Sequence, residues 1–287
     1  MLKYIAIGLL LLGIISCNED KTPASTLITA PIPASSDSTT LVNINKDQRV
    51  KVIALVDASK CSKYAWLNRG KAQKSYYRGM GLTYAKAFCN SNTIVSGSRN
   101  KPESKFDTTD VLSWYNSNFN KLGLYNDVSG KETQRHVWTL LIGLGMRESS
   151  GKYCVGRDLS ANFTASDSAE AGLFQSSWGA SKRDLSMVDL FNKYQKDKTG
   201  CFYEVFKEGY SCSTADLKNW GSGDGFKFQE LSKTCPAFSA EYAAILVRKS
   251  GGTRGEYGPL RTKKAELNKD CDDMLQAIEK VDGLCLQ

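Results

Sequence analysis

Glu148 is the residue whose type and position most strongly indicate chemistry. Val137, Leu140, Leu141 and Leu144 have the i, i+3, i+4, i+7 spacing of one helix face, and Glu148 is the next residue on that face. Burial in this face and the negative end of the helix dipole both disfavour a charged carboxylate, so we expect them to raise the pKa of Glu148. A carboxyl group that stays protonated near neutral pH can protonate the leaving-group oxygen of a glycosidic bond.

The helix that carries Glu148 has sequence signals at both of its ends. Ser129 and Glu132 have the spacing of a capping box, which predicts that the helix begins here. The Ser-Ser-Gly sequence at residues 149–151 predicts that it ends directly after Glu148. The alternative to an acid role is an ion pair between Glu148 and Arg147, Arg157 or another cation, which would keep the carboxylate charged.

Two short segments, Glu148-Ser149-Ser150-Gly151 and Ala169-Glu170-Ala171-Gly172-Leu173-Phe174-Gln175, occur in this order along the chain. Together they resemble the lysozyme-like superfamily, and in particular goose-type lysozymes and soluble lytic transglycosylases. In that signature a catalytic Glu followed by Ser lies at a helix end, and a downstream Gly-Leu-Met-Gln turn lines the cleft. The resemblance is concentrated in residues 136–178 and extends much more weakly over residues 105–287.

The chain departs from this signature at three points. Phe174 stands where Met is usual. The interval between Glu148 and Gly172 is longer than in most lytic transglycosylases, and it contains Cys154. No Tyr-Asn-Ala-Gly motif follows, and Tyr242 is a poor substitute for its tyrosine. These departures concern the branch more than the superfamily.

The resemblance implies cleavage of the MurNAc–GlcNAc β-1,4 linkage of peptidoglycan by a muramidase, with Glu148 as general acid. Whether the activity is sensitive to the N-acetylation state of the sugars stays open. Two other functions stay open: a lytic transglycosylase that releases 1,6-anhydro products, and a glycan-binding lipoprotein without activity. Several residues are candidates for substrate binding, with the rings of Trp178 and Tyr257 stacking on sugars. The candidate set is Ser149, Asp158, Glu170, Gln175, Trp178, Tyr242 and Tyr257.

The identity of a second acid decides the mechanism. Inverting hydrolysis needs a carboxylate about 6.5–9.5 Å from the general acid, and retention through a covalent nucleophile needs about 5–5.5 Å. A lytic transglycosylase needs no second acid, because the 6-hydroxyl of the sugar attacks. Asp158, Asp167 and Glu170 all lie between Glu148 and Gly172, which favours a hydrolase. Asp167 is the predicted second acid, because it lies close to where goose-type lysozymes keep an aspartate.

The N-terminal residues predict export. Lys3 is followed by the apolar run Ile5–Ile15 and by Cys17 directly after a small residue. The run is too short to span a bilayer comfortably and has the proportions of a secretory signal. It resembles a bacterial lipobox, which implies cleavage before Cys17, acylation of its sulfur and anchoring in a membrane, with Asn18 indicating the outer membrane. The expected location is the outer membrane and periplasm or the cell surface, with secretion as the alternative.

Eight further cysteines accompany Cys17 and form an even set. In an exported domain such a set predicts four disulfides, whose pairing the sequence does not determine. The eight are Cys61, Cys89, Cys154, Cys201, Cys212, Cys235, Cys271 and Cys285. No Cys-x-x-Cys pair is present and His136 is the only histidine, so neither a metal site nor a cofactor is expected.

The chain divides into four predicted segments. These are a signal peptide at 1–17, a Ser/Thr/Pro-rich tether at 18–45, a helical extension at 46–104 that packs on the catalytic domain, and a lysozyme-like catalytic domain at 105–287. The predicted fold class is mainly α with disulfides, because few runs of residues alternate with a period of two.

Local patterns predict further elements within these segments. Val50–Val56 fits either a strand or a buried helix. The range 107–110 supplies N-caps for a following helix, and Ser239 is the predicted N-cap of a helix that Gly251 ends. A last helix has five apolar residues on one face: Leu267, Cys271, Met274, Leu275 and Ile278.

The formal net charge of +8 favours an anionic partner, which could be nucleic acid, anionic lipid or an acidic polymer such as the cell wall. The basic residues are spread along the chain and no nucleic-acid-binding motif is present, so a nucleic-acid binder is not expected. A lysozyme inhibitor held together by disulfides is also disfavoured, because such inhibitors are usually far smaller. The expected partner is peptidoglycan, bound by a monomer.

Overall fold

The computed structural model of the chain describes residues 44–90, 94–159 and 165–285. The predicted signal peptide, with Cys17, and the predicted tether up to residue 43 lie outside these residues. Ile44 and Asn45 belong to the folded part, because Ile44 is buried and the Asn45 side chain accepts a hydrogen bond from the backbone N–H of Gln48 at the start of the first helix.

Helices account for most of the described structure, which confirms the mainly α prediction. They are accompanied by a small antiparallel hairpin, in which β1 (Ala65–Trp66) pairs with β2 (Gly70–Lys71), and by short 3-10 turns. The α-helices of the described residues are α1 (Lys46–Ala58), α2 (Lys74–Cys89), α3 (Val111–Trp114), α4 (Asn116–Asn120), α5 (Lys131–Ser149), α6 (Ser186–Lys196), α7 (Tyr203–Lys207), α8 (Thr214–Leu217), α9 (Gly223–Thr234), α10 (Pro236–Ser250), α11 (Gly258–Arg261) and α12 (Lys269–Glu279).

The long helices α2, α5 and α10 lie at the centre of the core. Helix α2 packs against α1, α5, α7, α10 and α12, and α5 also packs against α10 and α12. The predicted apolar face of α5 is fully buried at Val137, Leu140, Leu141 and Leu144. Helices α1 and α2, from the segment before residue 105, therefore share one core with the helices after it.

Helix α5 begins differently from the prediction. Its first residue is Lys131, and its N-cap is Gly130, which makes no side-chain capping bond. The predicted capping box is wrong because the Ser129 hydroxyl instead accepts a hydrogen bond from the backbone N–H of Lys101 at 2.8 Å. The side chain that fits the local signal is thus used by a loop distant in sequence.

The other local predictions are confirmed in part. Val50–Val56 lies in α1, which decides the open choice in favour of a helix. Asp110 caps α3 as predicted. Ser239 is not an N-cap, because α10 already begins at Pro236, whose fixed backbone suits the first turn of a helix. The predicted apolar face of α12 is buried at Cys271, Met274, Leu275 and Ile278, whereas Leu267 precedes the helix.

Four disulfides are present, as the cysteine count predicted. They join Cys61 to Cys271, Cys89 to Cys285, Cys154 to Cys212 and Cys201 to Cys235. The first two connect the ends of α1 and α2 to the C-terminal region around α12. Each bridge contributes roughly 2–4 kcal/mol, mainly by restricting the unfolded chain. Four disulfides are consistent with a protein outside the cytoplasm.

Across the part of the chain that the structure describes, no helix has both the length and the apolar character needed to cross a bilayer.

Candidate active site

Glu148 lies in the last turn of α5, where the helix ends as the sequence predicted. Ser150 adopts a left-handed conformation (φ 57°, ψ 32°) and Gly151 follows with φ 76°. The backbone N–H groups of these two residues donate to the carbonyls of Met146 and Gly145, at 3.0 and 3.2 Å. A positive φ is easy for glycine, so the Ser-Gly pair stops the helix at a defined point directly after Glu148.

A second element faces this helix end: the turn at residues 169–176. Its two arms are joined by a β-bridge between Ala171 and Ser176. Gly172, at φ 77°, donates from its N–H to the Val155 carbonyl at 2.8 Å. A Cβ atom at Gly172 would lie 2.7 Å from the Ser232 carbonyl oxygen, so only glycine fits here.

Phe174 anchors this turn on α5. Its side chain is fully buried, and its ring lies beside Gly145, one turn before Glu148. The Gln175 side-chain nitrogen donates to the backbone carbonyls of Gly172 and Val155, at 3.0 and 3.2 Å, and so is occupied in holding the turn. The segment predicted to line the cleft is thus docked against the end of α5 that carries Glu148.

The docked turn brings Glu170 into the electrostatic environment of Glu148. Burial, reinforced by the negative charge of Glu170, raises the pKa of Glu148 from 4.5 to about 8. Burial also raises the pKa of Glu170, and the carboxylates of Asp158 and Glu256 add to this effect. Glu148 is therefore mostly protonated at neutral pH, as expected for a general acid.

Glu148 forms no ion pair with any residue in the described ranges. Among the described residues, none of the salt bridges includes this carboxyl group, so the alternative of a pair with Arg147 or Arg157 is not found. Three guanidinium groups, those of Arg69, Arg261 and Arg147, do lower the pKa of Glu148, but they only partly offset the effect of burial.

Tyr257 is a buried support beneath the site. Its hydroxyl shares a 2.7 Å hydrogen bond with the Ser176 hydroxyl. Burial raises the pKa of Tyr257 well above its usual value, and the charge of Glu148 adds to this effect. Only 2% of its surface is exposed, so stacking of a sugar on this ring does not fit its burial. Tyr242 is likewise buried and donates to the Ser177 carbonyl at 3.0 Å, which holds the end of the turn.

Trp178 and Ser149 also have structural contacts. The Trp178 ring is half-buried against Phe191, with 4.7 Å between ring centroids, and against Phe228 at 6.1 Å. The Ser149 hydroxyl donates to the Gly145 carbonyl within α5, at 3.0 Å. Neither contact requires a substrate, and the predicted binding roles of both residues stay predictions.

Asp167 is not among the groups that shift the pKa of Glu148, whereas Glu170 is. Asp167 is exposed in the turn Ser166–Ser168, and its carboxylate lies beside Gly225 near the start of α9. The carboxyl group that acts most strongly on Glu148 is that of Glu170. Asp158 is exposed at the edge of the site, where it raises the pKa of Glu170.

The sequence did not predict that arginines lie near Glu148, and Arg69 is the clearest case. It lies between β1 and β2, and its guanidinium donates to the Arg147 carbonyl at 2.6 Å, across 78 positions of the chain. A short turn with Asn68 and Gly70, both at positive φ, was the available signal of a hairpin. Nothing in the local sequence indicates where that hairpin docks.

No metal site is evident, since the described residues contain no group of three His, Cys, Asp or Glu side chains placed to hold an ion. Comparisons with known proteins find no match: no family model fits the chain, and no curated protein or solved structure is significantly similar to it. A functional assignment therefore depends on the residues and geometry of this site.

Proposed function

We propose that this protein cleaves the glycan strands of peptidoglycan at the MurNAc–GlcNAc β-1,4 linkage, with Glu148 as general acid. The observation that carries the proposal is that burial at the end of α5, together with the charge of Glu170, raises the pKa of Glu148 to about 8. Glu170 lies just before the docked Gly-Leu-Phe-Gln turn. Such a pair suits acid–base chemistry on a glycosidic bond. The lysozyme-like fold and the activity both follow from the resemblance and belong to this proposal.

In the hydrolytic mechanism, Glu148 donates its proton to the glycosidic oxygen as the bond from that oxygen to the anomeric carbon breaks. A water molecule then attacks the anomeric carbon and gives its proton to a carboxylate. Glu170 is better supported in that role than Asp167, because its charge acts directly on Glu148. General acid catalysis of this kind typically contributes about 10²–10⁴-fold to the rate.

A lytic transglycosylase is the second candidate for the same site. There Glu148 donates the same proton, and the 6-hydroxyl of the muramic acid sugar attacks its own anomeric carbon to give a 1,6-anhydro product. The observation that favours this candidate is that Asp167, the predicted second acid, lies exposed beside Gly225 and is not among the groups that shift the pKa of Glu148. A lipoprotein that only binds glycan would have no need for a protonated acid at this position.

The proposed setting is the cell envelope. Acylation of Cys17 would anchor the chain to a membrane, and the segment before residue 44 would give the domain reach into the wall. The four disulfides support a location outside the cytoplasm. We propose a monomer that acts on peptidoglycan without a cofactor.

The test is digestion of purified peptidoglycan, acetylated and deacetylated, by the wild type and by Glu148→Gln, with the products weighed by mass spectrometry. Products with a reducing end, from the wild type alone, are expected for the hydrolase. Products one water lighter would identify a transglycosylase. Absence of cleavage by the wild type on both walls would overturn the catalytic proposal and leave a glycan-binding protein.

A further inference from the structure

Three arginines that act on Glu148 form no salt bridge within the part of the chain that the structure describes. Within residues 44–90, 94–159 and 165–285, no carboxylate oxygen lies within 4.0 Å of the guanidinium nitrogens of Arg69, Arg147 or Arg261. Arg69 and Arg261 are exposed, so a ligand in solution can reach them.

The guanidinium groups of Arg69 and Arg261 are instead oriented by neutral acceptors. Arg69 donates to the Arg147 carbonyl at 2.6 Å, and Arg261 donates to the carbonyls of Gly255 and Glu256, at 2.6 and 3.0 Å. A carbonyl fixes the direction of a guanidinium group without cancelling its charge. Each side chain keeps further N–H donors for a ligand, since a guanidinium group has five.

The hairpin that carries Arg69 is firmly attached to the core. The Trp66 ring is buried, and its nitrogen donates to the Tyr77 hydroxyl at 2.8 Å. The Glu266 carboxylate accepts from the Leu67 backbone N–H at 2.8 Å and from the Tyr64 hydroxyl at 3.2 Å. The position of Arg69 beside the end of α5 is therefore set by several contacts at the base of the hairpin.

These charges oppose the role proposed for Glu148, because all three arginines lower its pKa and a general acid must stay protonated. Their placement is understandable if their partner is a group of the substrate. Peptidoglycan, unlike chitin, has a lactyl ether on every muramic acid, and that arm ends in a carboxyl group that is either free or extended by a peptide with carboxylates of its own.

We propose that Arg69, Arg147 and Arg261 form an anion-binding subsite beside Glu148 that takes a carboxylate of the muramic acid unit. This inference rests on the proposed function and adds a substrate class to it: strands with carboxylates are bound more tightly than neutral chitin-type glycan. The planar guanidinium fork matches a carboxylate with two parallel hydrogen bonds, which gives both affinity and orientation.

The test is calorimetric binding in the Glu148→Gln background, where bound glycan stays intact. Three tetrasaccharides serve as probes: a peptidoglycan fragment with stem peptides, the same fragment without peptides and with free lactyl carboxylates, and chitotetraose. Arg69→Gln and Arg261→Gln are the test variants. Lys51→Gln is the control, because it removes the same charge from an exposed position on α1.

The expected result is a rise of about tenfold in Kd for a carboxylate-bearing probe with each arginine variant, and unchanged binding of chitotetraose. A rise limited to the peptide-free fragment assigns the lactyl carboxylate, and a rise limited to the peptide-bearing fragment assigns the stem peptide. Equal weakening of all three probes, or no change for any, overturns the inference. Failure of the proposed function is seen separately, as wild-type protein that binds these fragments and leaves them uncut.

Discussion

The two ends of α5 hold their charged groups in opposite ways. Near the start of the helix, buried Arg135 pairs with Asp272 at 3.1 Å and with Glu279 at 2.9 Å. At the other end, Glu148 is partly buried and is included in no salt bridge among the described residues. A paired buried charge serves the fold, whereas a buried acid that gives up its charge is typical of a functional site.

The two ends of α5 also differ in the direction in which burial shifts a pKa. Burial lowers the pKa of His136, one residue after Arg135, to about 4, and its Nδ1 lies 2.8 Å from the Asn126 side-chain oxygen. Burial raises the pKa of Glu148 to about 8. Both groups are therefore neutral at pH 7. His136 gains a positive charge in acid, and Glu148 gains a negative charge in alkali. Because burial disfavours both charges, His136 destabilises the fold at low pH and Glu148 destabilises it at high pH.

The largest expected effect on stability is at the paired end. Asp272→Asn leaves Arg135 without its 3.1 Å partner in a buried site, and we expect a loss of about 3–5 kcal/mol in the free energy of unfolding. Urea denaturation measures this loss. Cleavage per folded molecule should stay near the wild-type value, because Asp272 lies in the structural cluster and not at Glu148.

A comparison of Glu170→Gln with Asp167→Asn tests which of the two carboxyl groups acts together with Glu148. Loss of the Glu170 carboxylate should lower the hydrolysis rate by about a hundredfold if it is the base that activates water. Loss of the Asp167 carboxylate should have little effect, because that side chain is exposed beside α9. Initial rates of wall digestion decide between them, and the reverse order of effects would restore Asp167 as the second acid.

A smaller effect concerns the stability contributed by Glu148 itself. The fold raises its pKa from 4.5 to about 8, so between these values the folded chain binds a proton that the unfolded chain has released. The contribution of protonated Glu148 to stability is therefore fully present below pH 4.5, and it is lost as the pH rises from there through about 8. Glu148→Gln removes this dependence and should stabilise the fold by about 3 kcal/mol at pH 7.

Thermal unfolding of both proteins at several pH values measures this difference. The advantage of Glu148→Gln should be absent at pH 4, should grow between pH 5 and 8, and should level off above that. An advantage that does not change with pH would show that Glu148 has an ordinary pKa in the folded protein.

Those features of the site that depend on one helix were predictable from the sequence. The apolar face of α5, the helix stop at residues 149–151 and the position of Glu148 on a buried face all follow from the spacing of side chains. Eight cysteines remain besides Cys17, and in an exported chain this even number predicts the four disulfides that are present.

Features that depend on contacts between distant segments were not predictable. Arg69 lies beside the end of α5 only because a hairpin docks there, and the Ser129 hydroxyl accepts from Lys101 instead of forming a capping box. Glu170 rather than Asp167 raises the pKa of Glu148, and Glu170 belongs to the turn that Phe174 packs against α5. Each outcome is set by tertiary packing, which one sequence does not reveal.

The most direct test of the central claim is the rate of glycan cleavage as a function of pH, from pH 4 to 10, for the wild type and Glu148→Gln. We predict a wild-type rate that falls as pH rises through about 8, where Glu148 loses its proton. Below pH 8 the rate of the variant should be about a thousandfold lower, and above pH 8 this difference should narrow because the wild type then also lacks the proton. Cleavage by Glu148→Gln at the wild-type rate, or a wild-type rate that shows no fall near pH 8, would contradict the assignment of Glu148 as the acid.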